Sequence, residues 1–547
     1  MDWDRLTLGD VLRDHASARP DHIAIVDGET RLSYARLDRW VDELAHGMRA
    51  IGLGRGDQVA LWMINSSEWI ACWIACSRIG VTLVPLNTRY KLEEVAYILR
   101  QSDAKALIML DRYWAIDFLE MLRGILPELG TATPGQLHSA HLPQLRSVVL
   151  WKDIPAPGTF CLEDIAQRGV ASMKLGNSLP PPDPADPIII VYTSGTTGHP
   201  KGAMHNHIVL RNCANIARWM HTVPEDVVLG HMPFYHVAGA FAGIGQAILT
   251  GCTLVTLPHW VPDEALDVIE REKVTIFGGI PTHFIDCLDA IRRKPRKVRM
   301  KSAWIGGAPV TPDVALASFR ELGLQALQAV YGMTETTSMT TLSEFDAPLE
   351  VLCDNKGKPV GEFEVKVCDP ANGQARPVGV NGEVWVRGHL VMMGYYQDPQ
   401  GTAQVMTTDG WFRTGDLGVF DEQGYLKITG RLKEMFIVGG SNTYPAEIER
   451  ILQTNPKIKQ AIVIGVPDSR LGEVGFAFVE LHEGKGATAE EIIAFCKDKM
   501  ADYKVPRHVQ VVSEFQRTST GKIQRFVLAD AAIELLANQK IVARSAV

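Results

Sequence analysis

The chain has 547 residues, with 46% apolar and 22% charged side chains. That is an ordinary globular composition with room for several cores at roughly 150 residues each. Its formal charge of −8 speaks against a nucleic-acid or anionic-membrane surface. The acidic start MDWDRLTLGD lacks the basic and apolar runs of a signal peptide. The most apolar window, near Trp69 to Leu86, is broken by Arg78 and too short to span a bilayer. The terminal RSAV is neither a prenylation box nor a peroxisomal signal. Nine scattered cysteines without a CxxC pair suit a reducing cytoplasm. Cys72 and Cys76 share a helix face with Trp69, Ile70 and Trp73 and read as core packing rather than metal ligands.

Taken in order, the first part alternates strand and helix patterns. Strands are expected at residues 22–26, 59–63, 81–85, 106–109 and 148–150, and helices at 33–51, 68–78 and 92–101, the first capped by Ser33. This rhythm implies parallel sheets covered by helices, an α/β fold. Residues 130–145 read as a surface loop, and the proline-rich LPPPDPADP at 179–187 as a stiff lead-in to an apolar strand at 188–191. The same rhythm resumes over 227–330. After Tyr331 short glycine-bounded strands at 366–368, 383–387 and 425–429 suggest a small β-rich subdomain. Beyond Arg431 a compact α+β segment is expected, with strands at 435–438, 461–466, 474–481 and 509–512 and helices at 446–453, 490–500 and 526–536. The division therefore falls at about residue 432, giving domains 1–431 and 432–547.

The stretch that organises the chain is YTSGTTGHPKG, Tyr192 to Gly202. Gly195, Gly198 and Gly202 free the backbone to curl. Thr193, Ser194, Thr196 and Thr197 add hydroxyls, and Lys201 adds a cation. Backbone N–H groups and hydroxyls converging from such a turn suit phosphate oxygens, as does the N-terminus of the helix expected to follow, with Val209, Leu210, Cys213, Ile216, Ala217 and Met220 on one face. The bland alternative is a Ser/Thr/Gly surface linker, which has no reason to leave a buried strand. The Walker A spacing is absent.

Residue for residue, this stretch resembles the signature loop of the adenylate-forming enzymes: acyl-CoA synthetases, luciferases and peptide-synthetase adenylation domains. Further matches follow in that family's order, so the resemblance covers most of the chain. Phe234-Tyr235-His236-Val237 resembles the turn beside the carboxylate substrate, with His236 gating access; alone, His236 reads as a satisfied half-buried histidine. Gly306-Gly307-Ala308-Pro309, otherwise a plain turn, implies the adenine site through Gly307 and Ala308. In Tyr331-Gly332-Met333-Thr334-Glu335, the resemblance gives Tyr331 adenine stacking, with Gly332 and Met333 beside it, Thr334 the α-phosphate, and Glu335 the Mg²⁺. Asp416, in Trp411-Phe412-Arg413-Thr414-Gly415-Asp416, matches the ribose ligand, although an Asp in a Thr-Gly turn is common. Arg431 adds a fixed positive charge near ribose and phosphate, and Lys433 stands at the interdomain hinge. Gly439 and Gly440, before Ser441-Asn442-Thr443-Tyr444-Pro445, resemble the face that meets CoA. Lys522, in Arg517-Thr518-Ser519-Thr520-Gly521-Lys522, matches the adenylation lysine; read alone it is a solvated loop lysine.

The resemblance thus implies an AMP-forming acid–CoA ligase using ATP, Mg²⁺ and coenzyme A, with a large layered N-terminal domain and a small mobile C-terminal one. Small residues after His236, among them Ala238 and Ala242, leave volume and suggest a medium-size aliphatic or alicyclic acid; an aryl acid is the alternative. A ligase loading a separate carrier protein, a luciferase-like oxygenase and a nucleotide-binding regulator with dead chemistry are the rival functions. The last would be expected to lose Lys522 or Glu335. No nucleic-acid partner and no transmembrane segment are expected. A homodimer and acetylation of Lys522 are the further partner and regulatory expectations; many relatives carry proline where Gln516 stands.

Overall fold

The computed structural model describes residues 5–152, 155–193, 200–307, 310–438, 441–468, 470–497, 499–517 and 523–545. Two compact units emerge: Met1–Glu364 with Val386–Phe412, and Val365–Trp385 with Arg413–Val547.

The first unit is built on two sheets. One runs in the order Gly394–Tyr395, Lys201–Asn206, Pro187–Thr193, Thr82–Pro85, Gln58–Trp62, Ala104–Met109, Ser147–Leu150 and Phe160–Cys161. Its central strands are parallel, as expected for strands separated by crossover helices. The other sheet carries, side by side and parallel, Ala326–Tyr331, Ser302–Gly306, Ile276–Gly279, Val227–Gly230, Thr253–Thr256 and Ile23–Asp27. These strands are buried almost continuously along their length, as expected where both faces of a parallel sheet are covered. Helices Pro262–Glu272, Pro281–Arg293 and Pro312–Glu321 cover one face over a core containing Phe277, Phe284 and Leu327. A single larger core joins residues of both sheets and takes in the helix Ser67–Arg78, buried on every side.

Ser66 caps that helix, as Ser33 caps Tyr34–Ala50. Trp69 packs edge-on against Phe234, and Trp73 donates to the Ile188 carbonyl at 3.3 Å. Arg78, the interruption in this apolar stretch, is buried all the same. Its guanidinium pairs with Asp38 and Asp42 and donates to the Gly9 carbonyl at 3.2 Å, so its charge is compensated. Cys72 and Cys76 are core residues as expected, and all nine cysteines are free, eight of them buried. Burial pushes the thiols of Cys76, Cys213, Cys252 and Cys287 up to about 12.

The structure corrects one local expectation. The segment after the glycine-rich stretch does not enter a helix directly: Lys201–Asn206 forms a strand antiparallel to Pro187–Thr193, with Thr193 opposite Lys201, and the helix Val209–Trp219 follows. The stretch therefore connects a hairpin, and its donors are not extended by a helix N-terminus. Ala203 and His205 point inward on this strand, a period of two hidden by the polarity of His205.

In the second unit, Glu364–Cys368, Gly382–Arg387, Phe412–Phe420 and Leu426–Arg431 are neighbours in that order, the β-rich portion expected from their glycine punctuation. Following them, Phe436–Val438, Ser441–Thr443, Ile458–Asp468, Gly472–Leu481 and His508–Val512 form a sheet with helices Pro445–Gln453, Ala489–Lys497 and Arg525–Ser545. Phe436, Ile448, Val463 and Ile492 sit in its core. No helix is long and apolar enough to cross a membrane among the described residues.

Candidate functional site

Three expected site segments leave the C-terminal ends of parallel strands of one sheet in the first unit: Gly307 after Ser302–Gly306, Tyr331 at the end of Ala326–Tyr331, and, beyond the intervening Ile276–Gly279, the loop to His236 after Val227–Gly230. In open α/β sheets that edge is where crevices for ligands form. Gly307 is exposed, whereas Ala308 lies outside the described residues.

Beyond Tyr331 the chain turns through a 3₁₀ turn, Thr334–Thr336. A Cβ on Gly332 would stand 1.9 Å from the Ser338 carbonyl oxygen, so only glycine lets the two strands of the loop approach. Met333 is half-buried and Thr334 buried. Glu335 is half-buried; its backbone carbonyl accepts from the Met392 N–H at 2.8 Å, and its Oε1 accepts from the Tyr395 hydroxyl at 2.9 Å. Burial, reinforced by the Glu335 carboxylate, raises the Tyr395 phenol well above its ordinary range, so it stays a donor. The ammonium of Lys201 sits over the same ring at 5.0 Å and 3.4 Å from Asp398 Oδ2. One tyrosine thus links Lys201 of the hairpin to Glu335. His205, on that hairpin, is buried, and burial drops its pKa to about 4, which keeps it neutral. Thr193 ends the preceding strand, and Ser194, Gly195, Thr196, Thr197 and Gly198 lie outside the described residues.

On the other side, half-buried His236 starts the short helix Val237–Gly239, which runs into a π-helical turn, Ala240–Gly245. Such turns recur where a helix carries function. The loop before it is fixed by buried Asn65, whose Nδ2 donates to the carbonyls of Gly230 (3.1 Å), Met232 (3.0 Å) and Leu257 (3.2 Å) while its Oδ1 accepts from Phe234 N–H at 2.8 Å. An apolar pocket opens here, lined by Val228, Ala238, Ala242, Phe277, Gly278 and Trp304 among others, with no charged side chain. The Trp304 indole occupies the space a Gly278 Cβ would need, 2.0 Å from its Nε1.

In the second unit, Asp416 and Arg431 are direct cross-strand partners, Arg431 Nε standing 3.0 Å from Asp416 Oδ1. Asp416 is only 4% exposed while Arg431 is exposed. Lys433 is exposed in the turn between Leu426–Arg431 and Phe436–Val438. Gly439, Gly440 and Lys522 lie outside the described residues, but the feet of the lysine's loop are visible. Arg517 and Ile523 form an antiparallel bridge, and Gln524 N–H donates to the Gln516 carbonyl at 3.0 Å. Arg525 then grips Glu449 through two contacts of 2.7 and 2.8 Å.

Sequence reasoning missed Tyr395, Asp398, His205 and Asn65. Each is an ordinary polar residue whose partners stand far away in the chain, so no local pattern marks it.

The chain matches the AMP-binding enzyme family over residues 12–396 and the AMP-binding enzyme C-terminal domain over 447–522. It is 35% identical over 538 residues to the mitochondrial medium-chain acyl-CoA ligase of Mus musculus, covering 96% of this chain and 87% of that one. Among solved structures it resembles ATP-bound MatB from Rhodopseudomonas palustris, with a TM-score of 0.81, 28% identity, and coverage of 96% of this chain and 99% of that one. It likewise resembles an anthranilate CoA ligase in complex with anthranoyl-AMP, at a TM-score of 0.84, 25% identity and 98% of each chain.

Proposed function

The chain belongs to the AMP-binding enzymes and is an AMP-forming acyl-CoA ligase, and from that premise we propose that its acid is aliphatic or alicyclic and of medium size. A carboxylate is a poor acylating agent because oxide would have to leave. Attack of a carboxylate oxygen on the α-phosphorus of ATP forms acyl-AMP and expels pyrophosphate; the CoA sulfur then attacks the acyl carbon, its proton is lost, and AMP leaves. Little covalent chemistry falls to the protein, which must position two anions and offset their repulsion.

The roles follow. Thr193, Ser194, Gly195, Thr196, Thr197, Gly198 and Lys201 cradle the phosphates. Gly307, Ala308 and Tyr331 hold adenine, Gly332 and Met333 shape that wall, Thr334 meets the α-phosphate, and Asp416 and Arg431 take the ribose. His236 borders the acid. Lys522 delivers positive charge in adenylation, whereas Gly439 and Gly440 serve the CoA step after a swing about Lys433. Support comes from the shared strand edge of Gly307, Tyr331 and the His236 loop, and from the Asp416–Arg431 pairing.

Magnesium fits Glu335. This hard cation keeps several waters and takes one or two carboxylates plus substrate phosphates, and Glu335 offers a carboxylate already oriented by Tyr395. Bound there, it would supply charge neutralisation at the phosphates.

The observation carrying the acid class is the small cavity lined by Ala238 and Ala242, just after His236 in the chain, and by no charged side chain. A second reading, an aryl acid, is favoured by the likeness to the anthranilate ligase. The test is thioester formation with CoA across acids from acetate to palmitate, with benzoate and cinnamate, and with a phosphopantetheine carrier protein as alternative thiol. The highest kcat/KM is expected for saturated or alicyclic acids of medium length with free CoA. A maximum at benzoate or cinnamate would transfer the assignment to aryl acids.

A further inference from the structure

Immediately after the 331–335 segment the backbone does something costly. Thr337 and Ser338 have φ of +53° and +84°. The left-handed region crowds the Cβ of an L-residue, and a β-branched residue there is an outlier. Two such residues in succession, neither a glycine, persist only where the surroundings over-determine them.

The restraint is Asn212, on the helix Val209–Trp219 and 0% exposed. Its Nδ2 donates to the Thr337 carbonyl at 2.9 Å, to Thr337 Oγ1 at 2.9 Å and to the Met339 carbonyl at 3.1 Å. Thr337 is itself 1% exposed, so these acceptors have no access to water. The turn in turn presses on the segment before it. Ser338 N–H donates to the Met333 carbonyl at 3.1 Å, Thr340 N–H to the Tyr331 carbonyl at 2.8 Å, and the Ser338 carbonyl fills the space beside Gly332.

We propose that Asn212 is a positioning residue for adenylation: by clamping the strained turn at Thr337 and Ser338, it holds the 331–335 segment in the form that receives the nucleotide. This rests on the reading that the segment meets ATP. Without the side chain, the turn relaxes toward ordinary φ, the Ser338 carbonyl withdraws from Gly332, and Tyr331 and Thr334 lose their fixed spacing. Asn212 touches neither substrate nor reacting atoms.

The experiment compares the parent with Asn212→Ala, Asn212→Ala/Thr337→Gly and Tyr331→Ala in acid-dependent pyrophosphate exchange. Asn212→Ser, which keeps one donor, replaces the alanine variant if that does not fold. Asn212→Ala is expected to raise the KM for ATP about tenfold, the scale of stranding buried acceptors, with the KM for CoA unchanged. Glycine takes the left-handed region without steric cost. The second substitution is therefore expected to bring the KM for ATP back to within about threefold of the parent, a recovery that mere packing would not produce. If Tyr331→Ala raises the KM for ATP while Asn212→Ala does not, the clamp is wrong and the nucleotide reading stands. The same holds if the Asn212→Ala defect persists in the glycine double variant. If Tyr331→Ala leaves ATP dependence untouched, the nucleotide reading fails and takes the clamp with it.

Discussion

Replacing Lys522 with alanine is expected to depress acid-dependent pyrophosphate exchange by about two orders of magnitude or more, the scale of losing a positioned charge in the transition state. Two anions meet in that step, and Lys522 is the side chain proposed to stand between the entering carboxylate and the α-phosphate. Thioester formation from supplied acyl-AMP is expected to continue at near the parental rate, because the thiol attack expels AMP and needs no cation at the entering carboxylate. The substitution should not disturb the fold. The loop's feet are tied by the Arg517–Ile523 bridge, and the helix behind it is pinned by Arg525 on Glu449, which also accepts from the Val463 N–H at 2.8 Å. Both half-reactions are to be measured on one preparation; parallel loss in the two would sink the idea that they use different faces of the C-terminal segment.

Lys433→Pro is expected to produce the reverse split. The residue lies exposed between the strands Leu426–Arg431 and Phe436–Val438, where the N–H groups of both Glu434 and Met435 donate to the Arg431 carbonyl at 3.1 Å. Proline fixes φ near about −65° and removes an N–H, so a position that must pass between two backbone conformations is frozen in one. If the adenylating conformation is the frozen one, pyrophosphate release stays near normal while CoA thioester formation falls by about tenfold or more. Lys433→Ala, which leaves φ free, is expected to change both steps little. A proline variant that makes thioester at the parental rate would put the hinge elsewhere.

Much of this was legible in the sequence where chemistry and local geometry coincide. Strand runs such as residues 188–191 announce themselves by β-branched apolar side chains, and the alternation of strand and helix requires a layered α/β unit. The glycine-rich stretch and the 331–335 segment are legible for a second reason: their residue types have little to do in a core. Illegible were the polar residues that act at a distance. Asn65 bonds to Phe234, 169 positions away, and Asn212 to Thr337, 125 away; on a helix or strand pattern both count simply as polar. His205 is of the same kind, since a buried neutral histidine looks in sequence like a surface residue and hides the alternation of the strand Lys201–Asn206.

The sealed cysteines turn thiol chemistry into a clean measuring channel for this enzyme. Thiolates, not thiols, attack a thiol reagent, and burial shifts the protein's own sulfurs toward the protonated form, eight of them inside its cores. Colour developed by such a reagent during turnover therefore counts free coenzyme A almost alone, and its disappearance follows thioester synthesis directly. Once denaturant is added the count should climb by the eight buried sulfhydryls, so one reagent reports first on turnover and then on the integrity of the fold.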